Sequence, residues 1–148
     1  MQEYVLTRSG EIPAKISGEL IGSSASKNIT TPAKESSARQ WFTLDVYRTA
    51  SGRFVAHIKY RAGSRLAREE ACDVIEVAPS GERLLAQLQG INPSDNFVVG
   101  WPGDGHPDDN YGKDFRENDA SVCRYAHIEW DNLLERSAHL FGAVEEIA

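Results

Sequence analysis

The sequence has few of the features that mark secreted, membrane-spanning or disulfide-rich proteins. Only two cysteines occur in 148 residues, and no apolar run approaches the roughly 18 residues that a membrane helix needs. Residues 1–8 contain no apolar core of signal-peptide length. We therefore expect a cytoplasmic protein with no membrane association, in which Cys72 and Cys123 are free, buried thiols.

The chain also lacks a strong excess of either charge. It has 16 Lys and Arg residues against 22 Asp and Glu residues, a formal net charge of −6. This acidic balance argues against broad nucleic-acid binding, yet it is too small for a DNA mimic. With 41% hydrophobic and 26% charged residues, the composition is that of a globular protein. The length suits a single domain over residues 1–148, able to bury a core without metal or disulfide.

The strongest local pattern predicts a β-hairpin. Two apolar sets alternate with other residues on either side of residues 50–52, and they comprise Phe42, Leu44 and Val46, then Phe54, Ala56, Ile58 and Tyr60. All are even-numbered, so paired residue numbers must have an even sum if both sets share one face. A sum of 102 pairs Thr49 with Arg53 and leaves a three-residue loop ending in a left-handed Gly52. This register places Asp45 opposite His57.

The remaining patterns predict an α+β fold. Further strands are predicted over residues 4–7, 14–21, 72–78, 97–99 and 122–130. One helix is predicted between Ser80 as N-cap and Gly90, and a closing helix is predicted to begin at Asp131. Residues 23–39 are predicted to form a mobile surface loop, and residues 100–120 a long loop rich in Gly, Pro and Asp. We expect a mostly antiparallel, twisted sheet of about five to seven strands with two helices packed on one face.

No catalytic motif is present in the sequence. It lacks the Gly-x-Ser-x-Gly nucleophile turn, the Gly-x-Gly-x-x-Gly turn that opens a helix, and the helical His-Glu-x-x-His zinc pattern. No cofactor is indicated. Whether the chain is an enzyme stays open, with the balance against it.

One acidic loop supports an alternative, enzymatic hypothesis. Asp104, His106 and Asp108 lie close together between residues 104 and 109, and carboxylate with imidazole can hold a divalent cation. A metal-dependent hydrolase or nuclease would use these three residues as ligands. The spacing does not match a calcium-binding EF-hand loop, and Gly, Pro and Asp are also common turn residues.

The odd-numbered face of the hairpin supports a different hypothesis. Trp41 and Tyr47 share this face with Asp45 and His57, and aromatic side chains beside arginines such as Arg53 are typical of protein interfaces. Asp45 and His57 are expected to form a solvent-screened ion pair rather than a catalytic pair. The alternative for Trp41 and Tyr47 is that another part of the chain covers them.

A basic cluster follows the hairpin and supports a third hypothesis. Lys59, Arg61, Arg65 and Arg68 are able to contact phosphates, so residues 59–68 could bind nucleic acid. Acidic residues follow directly at Glu69, Glu70 and Asp73 and offset this charge. Nucleic acid is therefore the weakest of the three hypotheses.

The leading hypothesis is a small acidic protein-binding module. It would regulate or inhibit a partner protein, as immunity proteins and phage-encoded inhibitors do, by similarity of type alone. A homodimer is left open, and the identity of a protein partner is beyond the sequence. The expected partner-binding residues are Trp41, Tyr47, Arg53, Trp101, Asp104, His106 and Tyr111.

Overall fold

Five antiparallel strands in chain order form the sheet. The computed structural model describes residues 2–27, 29, 39–63, 70–93 and 110–142. The strands are β1 Gln2–Leu6, β2 Ala14–Ala25, β3 Arg39–Thr49, β4 Phe54–Gly63 and β5 Glu70–Ala78; the helices are α1 Gly81–Gln89 and α2 Asn110–Ser137, with a 3-10 turn at Ala138–Phe141. The prediction of an α+β fold with an antiparallel sheet is confirmed. None of the described helices is long and apolar enough to cross a membrane.

The predicted hairpin register is confirmed throughout β3 and β4. Leu44 lies opposite Ile58 and Asp45 opposite His57, as the sum of 102 requires. The Thr49 amide donates to the Arg53 carbonyl at 2.8 Å. Gly52 has φ of +87°, the left-handed conformation that the three-residue loop needs.

The strand predicted over residues 122–130 is wrong, because this segment belongs to α2. The helix begins at Asn110, so Asp131 is an interior residue rather than an N-cap, and residues 110–120 of the predicted loop are helical. Residues four positions apart lie on the same face in both a strand and a helix, so the burial of Ala126 and Trp130 fits either structure. Ile128, halfway between them, would share their face in a strand but not in a helix. It is 44% exposed, as the helix requires.

The mobile loop predicted over residues 23–39 is too long at both ends. Strand β2 continues to Ala25 and β3 begins at Arg39. Ile29 between them is fully buried, and its amide donates to the Gln40 carbonyl at 2.7 Å. Residues 28 and 30–38, and the strand predicted over residues 97–99, lie outside the described residues.

Only one of the two cysteines lies in a strand. Cys72, in β5, is a half-buried free thiol. Cys123 lies within α2, so the strand predicted around it is wrong.

The main core joins the even-numbered face of the sheet to the helices. Its members are Phe42, Leu44, Val46, Ala56, Ile58 and Tyr60 from β3 and β4, with Ile29, Ala78, Leu84, Leu88, Ala126, Trp130, Leu133, Leu134, Leu140 and Phe141. Ser80 caps α1 as predicted, since its Oγ accepts from the Arg83 amide at 3.2 Å. Trp130 crosses between the helices and donates from Nε1 to the Leu88 carbonyl at 3.1 Å.

Helix α2 also covers part of the edge of β2. Strand β1 pairs only with residues 14–18 of β2, so no strand from the described part of the chain borders the rest of β2 on that side. There Arg136 donates to the Ala25 carbonyl and Glu129 accepts from the Lys27 amide, both at 2.9 Å. Side chains of α2 thus satisfy backbone groups at the far end of β2.

Candidate functional site on the concave face of the sheet

The sheet curls until its first and last strands meet. Beyond the end of β1, the Ser9 amide donates to the Asp73 carbonyl of β5 at 2.9 Å, and the Asp73 amide donates to Ser9 Oγ at 2.8 Å. The odd-numbered face of β3, β4 and β5 therefore lies on the inside of the curl. This is the face whose aromatic residues the sequence associates with partner binding.

A second, smaller core fills the middle of this concave face. Leu6, Tyr47 and Val55 are buried there, and Tyr4, Ile16 and Ile75 pack against them. Tyr47 is 6% exposed, and its ring centroid lies 4.8 Å from that of Tyr4 in β1. The alternative interpretation holds for Tyr47, because the chain itself covers it. We therefore omit Tyr47 from the partner surface.

One end of the concave face is a network of polar groups, here called the seam and defined as Thr7, Ser9, His57, Arg61 and Asp73. Thr7 Oγ1 and Arg61 Nη1 each donate to the Asp73 carboxylate at 2.5 Å. Burial raises the pKa of Asp73, but these two hydrogen bonds outweigh it, so the pKa lies below its ordinary value. Asp73 therefore ties β1, β4 and β5 together as a carboxylate.

The expected ion pair between Asp45 and His57 does not form, although the two residues are opposite each other. Asp45 instead accepts from Lys59 Nζ at 3.3 Å. His57 is 3% exposed, and its Nε2 lies 2.6 Å from the Thr7 carbonyl oxygen. Burial lowers the pKa of His57, although the hydrogen bond to Thr7 acts in the opposite direction. An uncharged imidazole has no positive charge with which to form an ion pair to Asp45.

The described part of the basic cluster is neutralised within the fold. Lys59 pairs with Asp45, and Arg61 pairs with Asp73. Neither cation is left to contact a phosphate without breaking an existing ion pair. Arg65 and Arg68 lie outside the described residues.

At the end of the sheet opposite the seam, a cleft of about 500 Å³ lies beside the β3–β4 turn. Arg48 lies opposite Glu19 and Phe54, so it belongs to the even-numbered face of the sheet. It is lined by Gln2, Tyr4, Gly18, Glu19, Arg48, Thr49, Ala50 and Gly52. We call this lining, together with the adjoining Leu20 and Arg53, the tip surface. Arg53 is exposed and Leu20 is 43% exposed. Within the described residues, neither arginine of the tip surface nor Glu19 forms an ion pair.

The other residues expected to bind a partner are scattered or undescribed. Trp41 is half-buried on β3, opposite Arg61. Tyr111 lies in α2, whereas the expected site residues Trp101, Asp104 and His106, and the rival ligand Asp108, lie outside the described residues. No group of three metal-ligating side chains occurs among the residues that are described.

The sequence analysis missed two parts of this arrangement. Alternation in β5 places Asp73 on the same face as Ile75 and could have identified it. Nothing local relates Ser9 to a residue 64 positions away, and the meeting of Arg48 and Glu19 in a cleft depends on the pairing of β2 with β3. Comparison with protein-family models, with curated proteins and with solved structures found no match to this chain.

Proposed function

We propose that this chain is a protein-binding module that regulates or inhibits a partner docked on the tip surface. The observation that supports this proposal is the contrast in charge pairing between the two ends of the sheet. At the seam end, Lys59 and Arg61 are paired with carboxylates. Among the described residues, Arg48, Arg53 and Glu19 at the tip surface have no ion-pair partner.

The chemistry of the tip surface favours a protein over a small molecule. Small-molecule sites are usually enclosed and mostly apolar, whereas this cleft is open and its lining is mainly polar. Arginine and tyrosine are enriched at the centre of protein interfaces. The partner should present a carboxylate to Arg48 or Arg53, because guanidinium groups bind carboxylates in a bidentate manner. An apolar side chain of the partner would cover Leu20.

Site-specific photocrosslinking in the native source tests this proposal. A photoreactive amino acid replaces Ser51, which is exposed in the turn at the tip surface. The control replaces Glu135, which is exposed on α2 beside Arg136, at the far end of β2. We expect one protein to be labelled from position 51 and not from position 135. Circular dichroism of both variants verifies that they fold.

The outcomes separate the competing functions. Labelling of the same protein from both positions, or from position 135 alone, would place the interface elsewhere and refute the tip surface. Labelling of nucleic acid instead of protein from position 51 would overturn the protein-binding proposal itself. Once the partner is purified, its activity with and without the chain decides whether binding inhibits it.

A further inference from the structure

His57 lies at the centre of the seam with one ring nitrogen used and the other isolated. A carbonyl oxygen only accepts hydrogen bonds, so Nε2 must donate to the Thr7 carbonyl. Neutral His57 therefore carries its proton on Nε2, and Nδ1 presents a lone pair. Nδ1 is buried and has no hydrogen-bond partner among the described residues. A proton added to Nδ1 would place a donor and a positive charge away from solvent, with no acceptor among those residues.

The charged groups around His57 cannot easily accept that proton's hydrogen bond. Asp45 faces it from β3 and Asp73 from β5, while Lys59 and Arg61 follow it on β4. Asp45 is already paired with Lys59, and Asp73 with Arg61 and Thr7. The two carboxylates attract a protonated imidazole, but Lys59 opposes them and burial is the larger effect.

We propose that the seam is a pH-sensitive closure, in which protonation of His57 releases residues 7–9 from β5 and exposes the small core. Release lets Nδ1 reach water. It breaks the Thr7 and Ser9 contacts with His57 and Asp73, and it leaves the main core beneath the helices intact. The contacts of residues 7–9 with β4 and β5 thus involve the one deeply buried histidine among the described residues.

The pH window of this opening follows from linkage. A hydrated histidine in the open seam has a pKa of about 6.5, and burial lowers that pKa in the closed seam. Between these two values, the equilibrium constant for opening should rise about tenfold for each pH unit of acidification. Asp73 stays ionised in this window, because its pKa lies below its ordinary value.

Native-state hydrogen exchange on the full chain tests this closure. NMR measures the protection factor of the Ser9 amide from about pH 7.5 to about pH 4.5, with Leu44 and Ile58 as references in the main core. The His57 imidazole is titrated in the same samples. We expect the protection of Ser9 to fall about tenfold per pH unit below about pH 6.5, while that of Leu44 and Ile58 is unchanged. Constant protection of Ser9, or a parallel loss at all three amides, would overturn the proposal.

The His57→Gln variant identifies the titrating group. Its side-chain amide can still donate to the Thr7 carbonyl, but it does not titrate. The protection of Ser9 should then be independent of pH over the same range. A persisting decrease in this variant would assign the effect to another residue and refute the proposal. If the variant does not fold, the wild-type chain decides, because the protection of Ser9 must begin to fall at about pH 6.5 and level off where His57 of the closed chain takes up its proton.

Discussion

The two ends of the sheet carry similar side chains in opposite situations. At the seam end, Arg61 and the neighbouring Lys59 are partly buried and each contacts a carboxylate. At the tip surface, Arg53 is exposed and Arg48 lies over the Phe54 ring, with its Cζ atom 6.0 Å from the ring centroid. A count of basic residues in the sequence does not distinguish these ends. The fold distinguishes them, because the basic residues of the seam end are paired with carboxylates of the chain, whereas those of the tip surface have no such pair among the described residues.

The difference has a simple physical origin. A partly buried charge needs a partner, because removing it from water is costly unless a hydrogen bond or an opposite charge compensates. An exposed arginine stays hydrated at little cost, with its aliphatic stem on an apolar neighbour such as Phe54. Such a residue can exchange water for a partner's carboxylate. The comparison therefore supports our proposal that a partner binds the tip surface, whereas the seam contributes to stability.

The largest effect should come from the small core that separates the two ends. Leu6 is buried in this core, whereas Val5 beside it in β1 is 68% exposed. We expect Leu6→Ala to lower the free energy of unfolding by about 2–4 kcal/mol, because it leaves a cavity between β1 and the sheet. Urea denaturation measures the change.

Val5→Ala is the matched control in the same strand. Its effect should stay within about 0.5 kcal/mol, as for most surface substitutions. Equal losses of unfolding free energy for the two substitutions would show that β1 does not cover a core. No small core would then separate the seam from the tip surface.

A smaller effect is expected at the seam itself. Asp73→Asn removes the charge that accepts from Thr7 and Arg61. We expect a loss of about 1.5–3 kcal/mol at neutral pH, the range for hydrogen bonds to a charged group. Asp45→Asn, which removes the contact with the more exposed Lys59, should cost less. A reversed order would contradict the central role of Asp73.

Acid should remove the contribution of Asp73 in a defined direction. Its pKa is lower in the folded chain than its ordinary value of 3.8, so the unfolded chain takes up the proton first as the pH falls. The contribution is therefore complete well above pH 3.8 and is lost as the pH falls towards the folded pKa. Urea denaturation across this range should show a smaller acid loss for Asp73→Asn than for the wild-type chain. Equal losses would mean that other carboxylates account for the acid sensitivity.

The sequence predicts local pairing far better than the curl of the sheet. The register of β3 and β4 follows from alternation and a three-residue turn, both of which act within neighbouring residues. Alternation predicts a strand over residues 122–130 where α2 lies, because Ala126 and Trp130 suit either period and Asp131 is a typical N-cap residue. The closure between Ser9 and Asp73 is not local, so the burial of Tyr47 and His57 could not be predicted.

A modest effect should follow from altering the turn at the tip surface. Gly52 has a positive φ, so Gly52→Ala should cost about 1 kcal/mol through backbone strain. Gly90 is a useful control, because its φ of −82° is accessible to alanine. Thermal denaturation should therefore show a clear loss for Gly52→Ala and little for Gly90→Ala. A similar loss of thermal stability at both positions would show that the cost does not come from the positive φ of Gly52.

Affinity for the crosslinked partner tests the assignment of recognition to the tip surface most directly. Arg53→Ala and Arg48→Ala should each weaken binding by at least about tenfold if they contact a carboxylate, equivalent to about 1.4 kcal/mol. The melting temperature of Arg53→Ala should match that of the wild-type chain, because Arg53 forms no ion pair among the described residues. Arg48→Ala also loses the contact with the Phe54 ring, so its melting temperature should be slightly lower. Isothermal titration calorimetry measures both variants beside Trp41→Ala at the seam end. Unchanged affinity for both arginine variants, with binding lost for a folded Trp41→Ala, would contradict the account.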